Sequence, residues 1–146
     1  MITHARWLMG SAALFNGSFV IALLFFNAQV GPLLDLAPAS GTNLVMRDLA
    51  LALVGAFGCA YLYAAISPVR GRPFIAFGAV GKTLAAVTVF AHWLAGNTGW
   101  QLPIILLGDV LYTALFIQFL RHHPAAYPRL RFNGLVTQYA DRCERL

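Results

Sequence analysis

Residues 74–95 read FIAFGAVGKTLAAVTVFAHWLA, an apolar run that contains Lys82, the only lysine of the chain. A run of about 20 apolar residues is long enough to cross a bilayer as a helix. An ammonium group in the middle of such a helix is costly in lipid unless another group pairs with it. The stretch therefore predicts a transmembrane helix that packs against a helix carrying a partner for Lys82.

Three other segments have a similar length and character, so the chain is predicted to be an integral membrane protein. Hydrophobic residues make up 60% of the 146 residues and charged residues 10%, whereas soluble domains are about 25% charged. Backbone groups in lipid must pair within their own segment, so each segment is expected to be a helix. The predicted fold is all-α, an integral membrane four-helix bundle within residues 1–124, with helices at about 7–26, 45–66, 73–95 and 102–120.

Arginines flank the predicted helices on one side of the membrane. Arg6 precedes the first helix, Arg70 and Arg72 lie in the second connection, and five arginines follow the fourth helix. Basic residues are enriched in the cytoplasmic segments of membrane proteins, so both termini and the second connection are predicted to be cytoplasmic. This distribution assigns the net charge of +5 to flanking positions beside the lipid bilayer and argues against a nucleic-acid partner.

Residues 125–146 are predicted to form a basic cytoplasmic tail. Its apolar side chains recur at helical spacing, which is typical of an amphipathic interfacial helix on the inner leaflet. A partly disordered tail is the alternative, because so short a segment has little helical stability of its own. Cys143 lies in this tail and Cys59 lies inside the second helix. No disulfide is expected, since the tail faces a reducing compartment.

Counting residues along the helices places several polar side chains at one depth in the membrane. At about 1.5 Å per residue, Lys82 lies roughly 13 Å and Asp109 roughly 16 Å from the same membrane surface. Asn16 and Cys59 reach a similar depth, and Tyr112 follows Asp109 by three residues, on the same helix face. These five side chains form the candidate intramembrane cluster.

Two interpretations of the candidate cluster stay open at this point. In the first, Lys82 and Asp109 form a buried ion pair that fixes the order and register of the helices, and removing one partner would be strongly destabilising. In the second, the pair belongs to a binding site or proton path, as ionisable groups inside a bilayer often do.

A second group of charged side chains lies at the opposite, outer end of the helices. Arg47 and Asp48 begin the second helix, and His92 ends the third. We expect Arg47 to extend toward the lipid head groups and His92 to be an interfacial residue beside Trp93, with a pair between His92 and Asp48 as the alternative. A metal site normally needs three or four protein ligands, so no metal is predicted. No cofactor is predicted either, although a bound lipid or quinone is compatible with the pattern.

Several motifs carry a resemblance to known proteins: Tyr61-Leu-Tyr-Ala-Ala65, Pro68-Val-Arg70, Arg72-Pro73, Gly81-Lys82, Asp109 and Phe116. Through them, residues 47–120 resemble a family of small four-helix bacterial proteins described as DoxX-like. The resemblance implies a four-helix bundle in the bacterial inner membrane. Ser67 departs from it, because an acidic residue is expected before the proline. The family is linked by name to a quinol oxidase subunit, which implies no catalytic residue here.

The sequence contains no nucleophile with a nearby base and acid, and no phosphate-loop spacing. We therefore expect a non-enzymatic accessory or scaffolding subunit, assembled with other membrane subunits or with itself. The first alternative is a binder of a small lipophilic molecule between the helices, such as a quinone, a sterol-like lipid or an acyl chain. The second is a membrane isomerase or oxidoreductase acting on such a molecule, with Asp48 and His92 in acid–base roles.

Overall fold

A computed structural model describes residues 2–122 of the chain. This part of the chain is all-α, and no strand occurs in it. It forms five helices: α1 Ile2–Phe25, α2 Asn27–Leu33, α3 Thr42–Ile66, α4 Arg72–Leu94 and α5 Gln101–His122. The prediction of an amphipathic tail at 125–146, which includes Cys143, lies outside the described residues.

The four helices α1, α3, α4 and α5 are long and apolar enough to cross a membrane. The predicted helical bundle with four long apolar helices is therefore confirmed. α1 begins at Ile2 rather than near residue 7, since no glycine or proline precedes Gly10 to weaken the helix. α3, α4 and α5 begin and end within three residues of the predicted positions.

No helix was predicted between residues 26 and 45, but this connection contains the short helix α2. Pro32 lies in its last turn, where the helix ends soon after, and Asp35 then turns the chain with a φ of 56°. Leu34, which follows α2, is buried against Leu23 and Leu51, so this segment packs onto α1 and α3.

The helices pack as two pairs, α1 with α3 and α4 with α5. We call the side of the α3–α4 connection the turn end and the opposite side the α2 end. The main contact of α3 is with α1, and its close contacts with α4 lie toward the turn end. Glycines bring α3 and α4 together: a Cβ at Gly78 would overlap the Tyr61 ring, and one at Gly81 would approach Phe57.

Two hydrophobic cores follow from this arrangement. The core at the turn end is built around Tyr61, Ile75 and Phe116, which are fully buried. The core at the α2 end is smaller and joins Leu34 to α1 and α3. The outward faces of the long helices carry many exposed large apolar side chains, as expected of surfaces that contact lipid.

Candidate functional site

Lys82 lies buried in the middle of the bundle with two polar partners. Its Nζ donates hydrogen bonds to Asp109 Oδ1 at 2.5 Å and to Asn16 Oδ1 at 3.1 Å. Lys82 is 6% exposed and Asp109 16%. The ion pair predicted from matched depth is therefore present, and α4 reaches both α1 and α5 through one ammonium group.

Asn16 extends the polar network to the remaining long helix. Its side-chain amide Nδ2 donates to the backbone carbonyl of Val54 on α3, at 3.2 Å. Gly58 of α3 faces Asn16 at this point, and a Cβ there would lie in ordinary contact, 3.4 Å from the Cβ of Asn16. Both polar atoms of the Asn16 amide are thus used inside the protein, and the network connects all four long helices.

Three aromatic rings surround the ammonium of Lys82. The Nζ lies 5.5 Å from the ring centroids of Phe15 and Tyr61 and 5.6 Å from that of Tyr112. A cation over an aromatic face is attracted by the ring quadrupole, and the attraction grows when water is excluded. The rings therefore stabilise the charged amine in addition to its two hydrogen bonds.

The structure includes most, but not all, of the predicted intramembrane cluster. Asn16, Lys82 and Asp109 are linked by hydrogen bonds, and Tyr112 takes part through its ring. Cys59 was wrongly included, because its side chain is exposed. The neighbouring Gly58 is the residue of α3 that faces α1 at this level, so Cys59 points away from the network.

Phe15 and Tyr61 belong to the cluster but were not predicted as site residues. Phe15 precedes Asn16 in the sequence and is one of 11 phenylalanines, so nothing in the sequence distinguishes it. Tyr61 could have been singled out from the sequence, since tyrosine is enriched at membrane interfaces rather than within apolar spans. Val54 contributes a backbone carbonyl, which residue type alone does not reveal.

The predicted outer cluster is only partly assembled. Arg47 pairs with the adjacent Asp48, with Nη2 2.8 Å and Nε 3.0 Å from Oδ1. His92 contacts the amide of Asn97 at 3.2 Å. The alternative pair between Asp48 and His92 is not formed, because the close contacts of α3 with α4 lie near the turn end. The two acid–base residues of the isomerase or oxidoreductase alternative are therefore not in contact.

A cavity of about 220 Å³ lies between the Lys82 network and the α2 end. Asn16 and Asp109 form its polar end, and the rest of its wall is apolar, with Phe15, Phe19, Val54, Ala85, Val89, Leu102, Ile105 and Leu106. Phe19, Leu102 and Ile105 also pack against the core beneath α2. These three residues therefore join the cavity wall to the core at the α2 end.

Asp109 is the charged group in this wall, and it has unused hydrogen-bonding capacity. Its Oδ1 accepts from Lys82, and its Oδ2 has no hydrogen-bond partner among the residues described. Within residues 2–122, no group of three or more His, Cys, Asp or Glu side chains could hold a metal ion. The arrangement is suited to binding an apolar molecule by one polar end.

Comparisons with known proteins add no further assignment. No protein-family model matches the chain, and neither curated proteins nor solved structures give a match. The resemblance to DoxX-like proteins thus stays a prediction, and the function has to be inferred from the site itself.

Proposed function

We propose that this chain is a membrane protein that binds a small lipophilic molecule between its four long helices. The observation that carries the proposal is the cavity beside Asp109, whose wall is apolar except at one end. Small-molecule sites are typically concave and apolar, with a few polar groups that fix the orientation of the ligand. This combination favours ligand binding over a purely structural cluster.

The size of the cavity limits what it can hold. At about 220 Å³ it is smaller than the roughly 300–1,000 Å³ typical of drug-sized ligands. It therefore suits a single ring or a short branched head, and any long apolar tail would have to extend between the helices into the lipid. The Lys82 network has a supporting role, because it holds Asp109 in one position at the end of the cavity.

Filling the cavity tests this function. Val89 lines it, whereas Val87 on the same helix is exposed and does not. Wild-type protein purified in lipid nanodiscs is expected to retain a lipophile that organic extraction and mass spectrometry detect. Val89→Phe should lose it and Val87→Phe should keep it. Equal retention by both variants, or no bound or saturable lipophile in the wild type, would contradict the proposal.

A second candidate function is the accessory or scaffolding subunit expected from the sequence. The observation that favours it is a groove of about 840 Å³ between α1 and α3, on the outward side of that helix pair. Gly10, Ala13, Gly17 and Gly55 line it, and small residues allow transmembrane helices to approach closely. We propose that its occupant is α1 of a second copy of this chain.

Cross-linking tests the second candidate, because Cys59 also lines the groove. In a Cys143→Ser background, a membrane-permeable bifunctional reagent should join Cys59 to Cys59. Gly17→Leu, which fills the groove, should abolish the dimer, and Ala76→Leu on the exposed face of α4 should not. A cross-link from Cys59 to a different protein would instead indicate a larger assembly and overturn the self-association.

We also propose that the protein lies in a bacterial inner membrane with both termini in the cytoplasm. The arginines beside the α3–α4 turn and around the chain ends support this orientation. In a Cys59→Ser background, a membrane-impermeant thiol reagent should label Cys143 only after the cells are opened. Labelling of Cys143 in intact spheroplasts would reverse the orientation.

A further inference from the structure

The polar end of the cavity has a definite hydrogen-bonding character. Asn16 uses its oxygen for Lys82 and one of its two amide N–H groups for the Val54 carbonyl. Asp109 Oδ1 accepts from Lys82, which leaves Oδ2 with no partner in the described part of the chain. A carboxylate oxygen accepts hydrogen bonds and does not donate them. The charged group that the cavity offers a ligand is therefore an acceptor.

Lys82 does not supply a donor to the cavity. It is absent from the cavity wall, and its side chain is 6% exposed. The ring of Phe15, which does line the cavity, lies over the ammonium with its centroid 5.5 Å from Nζ. A ligand carbonyl or carboxylate placed against Asp109 Oδ2 would set one acceptor oxygen against another with no hydrogen between them, which is unfavourable in an apolar site.

The charge of the site also restricts the ligand. Asp109 and Lys82 neutralise each other through a contact of 2.5 Å. A cationic head group would add an unpaired positive charge to this environment, and an anionic one would be repelled by Asp109; both are costly where water is scarce. The site therefore favours a neutral head group.

From these three points we infer that the cavity takes a neutral lipophile whose head donates a hydrogen bond to Asp109 Oδ2, which means an alcohol, phenol or hydroquinone. The inference rests on the proposed lipophile-binding function and narrows its ligand class. It excludes the carbonyl of an oxidised quinone, a fatty-acid carboxylate and an amine as the group that contacts Asp109.

A matched series of small probes tests the inference on the unmodified protein. The three probes are para-ethylphenol, para-ethyltoluene and para-ethylbenzaldehyde, which have similar apolar parts. The phenol carries a hydrogen-bond donor, the aldehyde carries only an acceptor, and the toluene carries neither. Each is equilibrated by dialysis between nanodiscs with and without the protein, so that partition into lipid is subtracted. The phenol should bind about ten- to a hundredfold more tightly than the toluene, because a hydrogen bond to a charged group contributes this much.

Two double variants locate the effect at Asp109. Lys82→Met with Asp109→Leu replaces the buried pair by apolar side chains of similar size, which is often tolerated. The phenol and the toluene should then bind about equally. Arg47→Met with Asp48→Leu removes the Arg47–Asp48 ion pair, which does not line the cavity, and should leave the phenol preference unchanged.

The outcomes distinguish a failure of the hydrogen-bond-donor inference from a failure of the proposed lipophile binding. Saturable binding with equal affinity for phenol and toluene, or tighter binding of the aldehyde, would overturn the donor class while leaving lipophile binding intact. A phenol preference that survives the removal of Asp109 would also overturn it. If none of the probes binds saturably to the wild type, the proposed function itself fails and the inference fails with it.

Discussion

The part of the chain that the structure describes, residues 2–122, contains two ion pairs that are built in opposite ways. Lys82 and Asp109 are 27 residues apart in sequence and meet between two helices, with side chains 6% and 16% exposed. Arg47 and Asp48 are adjacent in one helix, with side chains 24% and 50% exposed. Both pairs are in direct contact, so what distinguishes them is burial and the origin of the partners.

An ion pair links the helices of a bundle only when its two partners come from different helices. Lys82 needs α1, α4 and α5 in register to find its two hydrogen bonds. Arg47 finds its partner within its own helix turn and depends on no other helix. Removing a group from the first pair should therefore affect the whole bundle, and removing one from the second should have a local effect.

Asp109→Leu should be the most damaging single change. It leaves the buried ammonium of Lys82 with Asn16 as its remaining polar partner, and breaking a buried pair typically costs about 3–5 kcal/mol. We expect a loss of that size in the free energy of unfolding, measured by circular dichroism in mixed micelles of increasing SDS content. Lys82→Met combined with Asp109→Leu should recover most of the loss. A double variant no more stable than Asp109→Leu would show that the unpaired charge is not the cause.

Asn16→Leu should be less damaging but still larger than any change at the exposed pair. It removes the acceptor for Lys82 and the donor to the Val54 carbonyl while leaving the ion pair. Hydrogen bonds to charged groups contribute about 1.5–3 kcal/mol, so a loss in that range is expected. Asn43→Leu, on the exposed start of α3, is the matched control and should show little change. Equal stability of the two variants would remove Asn16 from the network.

Gly78→Ala tests whether the buried pair depends on the close approach of α3 and α4. A Cβ at this position would overlap the ring of Tyr61, and overpacking typically costs about 1–3 kcal/mol. Gly10→Ala is the control, because its Cβ would meet no atom within 4 Å. That variant should be as stable as the wild type or gain up to about 1 kcal/mol from helix propensity. Similar unfolding curves for both variants would mean that the close contact between α3 and α4 does not determine the stability of the bundle.

Asp48→Ala should have the smallest effect. Exposed ion pairs contribute about 0.2–1 kcal/mol, so the unfolding midpoint should shift only slightly. His92→Ala should behave in the same way, because His92 contacts the nearby Asn97 rather than Asp48. A loss comparable to that of Asp109→Leu would contradict the distinction between the two pairs and restore the outer cluster as a structural element.

Much of the fold could be predicted from the sequence, because lipid imposes simple constraints. Apolar length fixed the four long helices, and helix rise placed Lys82, Asp109 and Asn16 at one depth. Depth specifies height but not direction around the helix axis, so Cys59 was wrongly added to the cluster and Phe15 was missed. The same limit explains why a pair between Asp48 and His92 was considered. The two residues lie at a similar height, but α3 and α4 have few contacts there.

The sequence by itself determined the number of long helices and the need of Lys82 for a partner, because a backbone and a charge in lipid must both be satisfied. The tertiary structure alone decided which helices pair and which faces meet, since these depend on the fit of small residues such as Gly58 and Gly78 against neighbouring side chains. It also decided that a cavity adjoins Asp109. A cavity is space left between four helices, and no local pattern in one helix encodes it.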